Sequence, residues 1–202
     1  GVCRSSNWSW STAQKNAMAA WINAYQTACS GATIDYQANG SGAGIKDFIN
    51  KQTAFAGSDS ALKEKDKTDA DARCASGPAI DLPMVGGAIV AAYNLSGVDK
   101  LVLTPQLLAQ IYSGKITKWD DPAIAADNPD ATLPDQAITP VHRADDSGTT
   151  DNFTDYLFQA APDVYGRVKS LGDEAVRVAA RHPELRGLDR RTIREAAQRS
   201  QG

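Results

Sequence analysis

Ile138-Thr139-Pro140-Val141-His142-Arg143-Ala144-Asp145-Asp146-Ser147-Gly148-Thr149-Thr150 reads as an apolar strand that runs through an arginine into the start of a helix. A helix opening on Asp146, Ser147, Gly148 and Thr149 presents unpaired backbone N–H groups and the positive end of its dipole, and the small hydroxyls beside it add donors. Arg143, just upstream, carries a planar fork of five N–H donors matched to tetrahedral oxyanions. The pattern suits an anion site; it suits equally an ordinary helix cap beside a solvated strand-end charge. A strand passing into a helix here also assigns the stretch to an alternating α/β chain, in which ligands gather where helix N-termini follow strand C-termini.

The same device recurs upstream. The run Tyr36-Gln37-Ala38-Asn39-Gly40-Ser41-Gly42-Ala43-Gly44-Ile45 carries a strand into a glycine-rich helix start, where the backbone can approach a ligand closely. Ser11-Thr12-Ala13-Gln14 precedes the helical pattern Ala17, Met18, Ala20, Trp21, Ala24, Tyr25, Ala28, so another helix is expected to open on hydroxyls. The glycine order matches neither a dinucleotide fingerprint nor a phosphate loop. Periodicity predicts strands at 33–38, 53–58, 80–85, 88–94, 100–103 and 138–143, and helices at 12–28, 45–52, 65–74, 105–112 and 149–160. Trp21 and Tyr25, four apart on the first helix, are expected in the core, as is Trp119. Gly86-Gly87, between apolar runs, reads as a crossover and hinge between lobes or as a plain turn.

The net charge of −3 gives no electrostatic case for nucleic acid. No apolar run reaches transmembrane length, and with only His142 and His182 no metal-ligand cluster or cofactor motif is expected. Charge is unevenly placed. Residues 163–202 hold eight Arg and one Lys against six acids, a net of +3, whereas the remainder nets −6. The swing from Lys to Arg points to a tail of different origin, with helical spacing at Leu171, Ala175, Val178 and Ala179 and again over 189–197.

The runs 36–45, Phe55-Ala56-Gly57-Ser58-Asp59-Ser60-Ala61-Leu62, Ile111-Tyr112-Ser113-Gly114-Lys115-Ile116-Thr117-Lys118-Trp119-Asp120-Asp121-Pro122-Ala123-Ile124 and 142–149 together resemble the phosphate-binding protein (PstS) family of the high-affinity phosphate ABC transporter, in its actinobacterial form, over residues 11–162. The resemblance implies a periplasmic-binding-protein-like (type II) α/β fold of two lobes, C-terminally truncated. Its parts would be 1–86 in the first lobe, 87–162 in the second and a divergent helical tail at 163–202. It implies that inorganic phosphate is bound by Thr12, Ala13, Ser41, Asp59, Arg143, Ser147, Gly148 and Thr149. Asp145 would hold the guanidinium, and Thr12 and Ser41 would donate from the lobe opposite Arg143. The chain would be an extracytoplasmic solute-binding component that serves a membrane permease, without a cofactor and without chemistry of its own.

Asp59 fits an anion site only if the ligand carries a proton: hydrogen phosphate can donate to it, whereas sulfate would face it with lone pairs on both sides. Otherwise Asp59 is a turn cap after the 53–58 strand. The resemblance also pairs Cys29 with Cys74, a bridge that would contribute roughly 4 kcal/mol in the chain-entropy model. Cys3 is either a lipid-anchor site or a free thiol. Residues 4–10 depart from the family's first strand end. Two other outcomes stay open: a truncated or chimeric product with impaired phosphate binding, and a phosphate-ester hydrolase with Ser147 as nucleophile and His142 or Asp145 as base.

Overall fold

The structure is a computed structural model that describes residues 6–143 and 145–169. The tail patterns beyond 169 and the alternatives for Cys3 lie outside the described residues. The chain divides into two compact units, the first formed by residues 1–89 and 142–154, the second by 90–141 and 155–202. The segment 142–154 thus belongs with the first unit, not with the block 87–162 expected as the second lobe.

In the first unit, β1 (Ser6–Trp10) and β2 (Ile34–Ala38) pair in parallel with Ser6 opposite Ile34 and Trp10 opposite Ala38. Parallel neighbours need a crossover, which α1 (Lys15–Ala28) supplies. On its other edge β1 has a single backbone bridge, from Ser9 to Ala56, in place of the strand expected at 53–58. Within the departing segment, Ser6–Trp10 therefore still makes a strand. Its alternation puts Trp8 and Trp10 on one face, with ring centroids 5.8 Å apart and Phe55 at 4.8 and 5.5 Å from them.

The helix α2 (Ser41–Ile49) packs on β1 through Gly44, where an added Cβ would lie 2.7 Å from Ser9 O and 3.2 Å from Gly57 O. Both neighbours are backbone and cannot step aside. Gly44→Ala is accordingly expected to lower the unfolding free energy by about 1–3 kcal/mol, the usual cost of overpacking. Gly86→Ala, at a position where an added Cβ meets nothing within 4 Å, is the control and should change it by less than about 0.5 kcal/mol. Urea unfolding followed by circular dichroism separates the two.

Helix α3 (Glu64–Arg73) is tied to α2 by Arg73, whose guanidinium stands 4.0 Å above the Phe48 ring and donates to Thr53 O at 2.7 Å. α1 instead lies against β2. The C-termini of α1 and α3 are thus carried by different neighbours, and the expected Cys29–Cys74 bridge is not formed: Cys29 is disulfide-bonded, while Cys74 is a free thiol. α1 buries Met18, whereas Trp21 is 42% exposed, contrary to its expected place in the core. A sheet this narrow covers one stripe of the helix.

The segments expected as strands at 80–85 and 88–94 are not in a sheet, and Ile80, Leu82, Met84 and Val90 are exposed. Their apolar pattern is that of a strand buried on both faces, but no neighbouring strand takes up their backbone groups among the described residues.

In the second unit, α4 (Pro105–Tyr112) and α5 (Pro122–Asp127) begin alike, with Thr104 and Asp121 accepting from the backbone of Leu107 and Ala123 and proline in the first turn. Leu107, Ile111, Ile116 and Ile124 form the core, with Trp119, Leu101, Leu103 and Ile138 packed against it. α7 (Pro162–Lys169) packs on α4. The expected strand 100–103 is held by a side chain in place of a strand. Asn128 accepts from Val102 N at 2.6 Å and donates to Val102 O at 2.8 Å and to Ile124 O at 2.8 Å. The strand expected at 138–143 is not formed: just before it Ala137 makes an isolated bridge with Lys118, and Ile138 N donates to Thr117 O at 2.8 Å.

Candidate functional site

Three segments of the first unit meet at Asp59. The first is the turn from β2 into α2. Gly40 takes φ +101°, which a side chain would strain, and brings the chain round so that α2 begins at Ser41, four residues before the expected start at 45. Ser41 is buried, and its Oγ accepts from Asp59 N at 3.1 Å. Gly42 N in the first turn donates to Asp146 O at 3.1 Å.

The second is the start of α6 (Gly148–Ala160). Ser147 is buried and its Oγ accepts from Thr150 N at 3.4 Å, as an N-cap does. Gly148 lies so close to its neighbours that an added Cβ would stand 2.6 Å from Ser41 Oγ and 2.9 Å from Asp59 Cβ. Thr149 Oγ1 donates to Asp59 Oδ2 at 3.3 Å, and one turn on Asn152 donates to Asp59 O at 2.6 Å. Arg143 precedes this helix. Its Nε donates to Asp145 Oδ1 at 2.6 Å, its Nη2 donates to Asp145 Oδ2, and Nη2 also reaches Thr12 Oγ1 at 3.3 Å. The carboxylate grips two edges of the guanidinium and fixes its plane.

The third is the turn between β1 and α1. The expected helix start at 12 is a turn, and α1 begins at Lys15 without a side-chain cap. Ser11, wholly buried, takes the place of a cap: its Oγ accepts from Ala13 N at 3.0 Å and donates to Asp59 Oδ1. Ala13 N–H, expected to reach the anion directly, is thus engaged by Ser11. Thr12 Oγ1 donates to Ala38 O at 3.4 Å while accepting from Arg143.

Thr12, Ser41, Asp59, Arg143, Asp145, Ser147, Gly148 and Thr149 therefore all lie in one unit, and Arg143 is not opposed to Ser41 and Thr12 across two lobes. A cavity of about 80 Å³ is lined by Ser41, Gly42, Ser147 and Gly148, with Lys46 and Lys63 and the carboxylates of Asp66, Asp146 and Asp151 around it; Asp59, Arg143 and Thr149 do not line it. Asp59 is the hub, engaged at its N–H, its carbonyl and both carboxylate oxygens. Burial pushes the Tyr36 phenol above its ordinary range, and the nearby Asp59 charge adds to the rise; the same hydroxyl donates to Ser11 O at 2.7 Å.

Ser11, Tyr36 and Asn152 were not expected at the site. Asn152 stands one turn after Thr149 and so shares its helix face, a spacing legible in the chain; Ser11 and Tyr36 lie in two of the segments singled out above but were assigned no role there. His142 Nδ1 donates to Arg143 O at 2.8 Å, Asp145 is engaged by Arg143, and Ser147 Oγ takes the Thr150 N–H; among the described residues no hydrogen bond joins Ser147 to either base named for a hydrolase. No group of three or more His, Cys, Asp or Glu suited to a metal occurs among the described residues.

Residues 9–187 match the family model of the PBP superfamily domain. The chain is 49% identical over 157 residues to the phosphate-binding protein PstS3 of Mycobacterium bovis, covering 78% of this chain and 42% of that protein. It is 37% identical over 147 residues to the phosphate-binding protein PstS of Haemophilus influenzae, covering 72% of this chain and 42% of that one. A crystal structure of a putative phosphate ABC transporter substrate-binding protein with bound phosphate, from Clostridium perfringens, superposes with a TM-score of 0.57 at 23% identity, over 80% of this chain and 59% of that chain. The chain spans 42% of the length of these curated relatives. With the family match across most of its length, an alternating α/β first unit and the Asp59 hub between two helix starts, the chain belongs to the PBP superfamily and is similar within it to the PstS phosphate-binding proteins.

Proposed function

We propose that this chain binds inorganic phosphate in a protonated form, as the extracytoplasmic solute-binding component of a phosphate ABC transporter that passes its ligand to a membrane permease. The observation that carries the reading is the acceptor-only carboxylate of Asp59 set against the α6 start by Thr149 and Gly148, with Arg143, its plane fixed by Asp145, joined to the β1–α1 turn through Thr12. Arg143 meets the anion with Nη1, since Nε and Nη2 are engaged by Asp145. Ser147, Gly148 and Thr149 donate from the helix start, with Ser41 and Thr12 beside them. Asp59 Oδ2 accepts the ligand's hydroxyl in exchange for its long bond from Thr149. Ala13 contributes through Ser11. No helix among the described residues is long and apolar enough to cross a membrane, which accords with a partner that supplies the membrane passage.

Calorimetric titration of the 202-residue chain with phosphate and then sulfate tests this. The expected result is saturable phosphate binding at one site, with sulfate weaker by about a hundredfold or more, because an unprotonated anion leaves the Asp59 lone pairs unmatched. A folded chain that gives no heat with phosphate, or takes sulfate equally well, would refute it.

A further inference from the structure

Ser11 is wholly buried, and every polar group it owns is engaged. Its N–H donates to Gly57 O at 3.0 Å, its carbonyl accepts from Tyr36 Oη at 2.7 Å, and its hydroxyl accepts from Ala13 N at 3.0 Å while donating to Asp59 Oδ1. A buried residue tied to three segments at once cannot turn its hydroxyl elsewhere. The sequence Ala13 N–H to Ser11 Oγ–H to Asp59 Oδ1 is a chain in which each bond polarises the next. It also settles which carboxylate oxygen is which. Oδ1 is occupied from the protein side, and Oδ2 faces the α6 start, where Thr149 stands at 3.3 Å.

We infer that Ser11 is a specificity-determining positioning residue: by holding Asp59 Oδ1 from behind it turns Oδ2 to the helix start, so the site takes a tetrahedral oxyanion that brings its own proton and rejects one that does not. The inference rests on the phosphate reading above and deepens it. Without the Ser11 hydroxyl the carboxylate loses one charge-assisted bond and its fixed rotamer. It can then swing its lone pairs away from an unprotonated anion and holds a protonated one less well.

The test is calorimetric titration of the full chain with phosphate and with sulfate, in Ser11→Ala, Asp59→Asn and the double variant. Ser11→Ala is expected to weaken phosphate by about tenfold, the scale of one hydrogen bond to a charged group, and sulfate by less than about threefold, so that discrimination falls. In the Asp59→Asn background the same substitution should change phosphate by less than about twofold, because the group through which it acts has lost its charge. Equal losses for both anions, or an undiminished loss in the Asp59→Asn background, would show a merely structural role and overturn the inference. Ser11→Cys, similar in volume with a weak donor, should fall between parent and Ala, and it carries the same comparison if Ser11→Ala does not fold. A parent chain that is folded yet binds no phosphate overturns the phosphate reading and this inference together; a parent that binds while Ser11→Ala matches it overturns this inference alone.

Discussion

Arg143→Ala is expected to weaken phosphate binding by about a hundredfold or more, the scale of truncating one partner of a hydrogen-bonded charge pair. Two effects add. The forked donor is lost, and Asp145, held in the parent by Arg143 Nε and Nη2, becomes an unpaired carboxylate beside the anion site. Where the parent holds a neutral ion pair, the variant holds a net negative charge that repels the anion. Arg143→Lys keeps the charge but has no planar fork to meet Asp145 and an oxyanion together, so about tenfold of the loss should remain. Binding within threefold of the parent in Arg143→Ala, measured by calorimetry on a chain whose circular dichroism is unchanged, would remove Arg143 from the site.

The largest stability effect is expected in the second unit. Asn128→Ala takes away all three hydrogen bonds that the amide makes, to Val102 N, Val102 O and Ile124 O. Asn128 is 7% exposed, and Ile124, whose carbonyl it caps at the end of α5, is fully buried. Net hydrogen-bond energies of about 1 kcal/mol each, with a further penalty for buried groups left unpaired, put the cost at about 3 kcal/mol. Denaturant unfolding measures it, and hydrogen exchange at the Val102 amide should speed up in parallel. A cost under about 1 kcal/mol would mean that the core around Leu101 and Leu103 holds this segment without the amide.

What was legible in the chain follows the range of the interactions involved. α4 was expected and found at 105–112, because Thr104, Pro105 and the apolar spacing lie within one short window. The α6 start was readable for the same reason, since a cap and its helix are contiguous. Strands fared otherwise. Segment 80–94 has the composition of buried strands yet pairs with nothing described, and 100–103 is served by an asparagine far along the chain. The strand at 6–10 was hidden by its tryptophans, which mask the alternation until Phe55 is seen packed against them.

The sequence by itself determined the helix starts, the arginine beside Ser147-Gly148-Thr149, the lone acceptor Asp59 and, through its motifs, the family. These are local choices of residue type, settled by caps, glycines and side-chain chemistry within a few positions. Only the tertiary structure decided that 142–154 returns to the first unit, that Cys29 and Cys74 do not pair, and that Ser11 stands between Ala13 and Asp59. Each of these is a meeting of segments far apart in the chain. Which segments meet is set by packing and the pairing of buried backbone groups across the whole unit, and no window of sequence contains that.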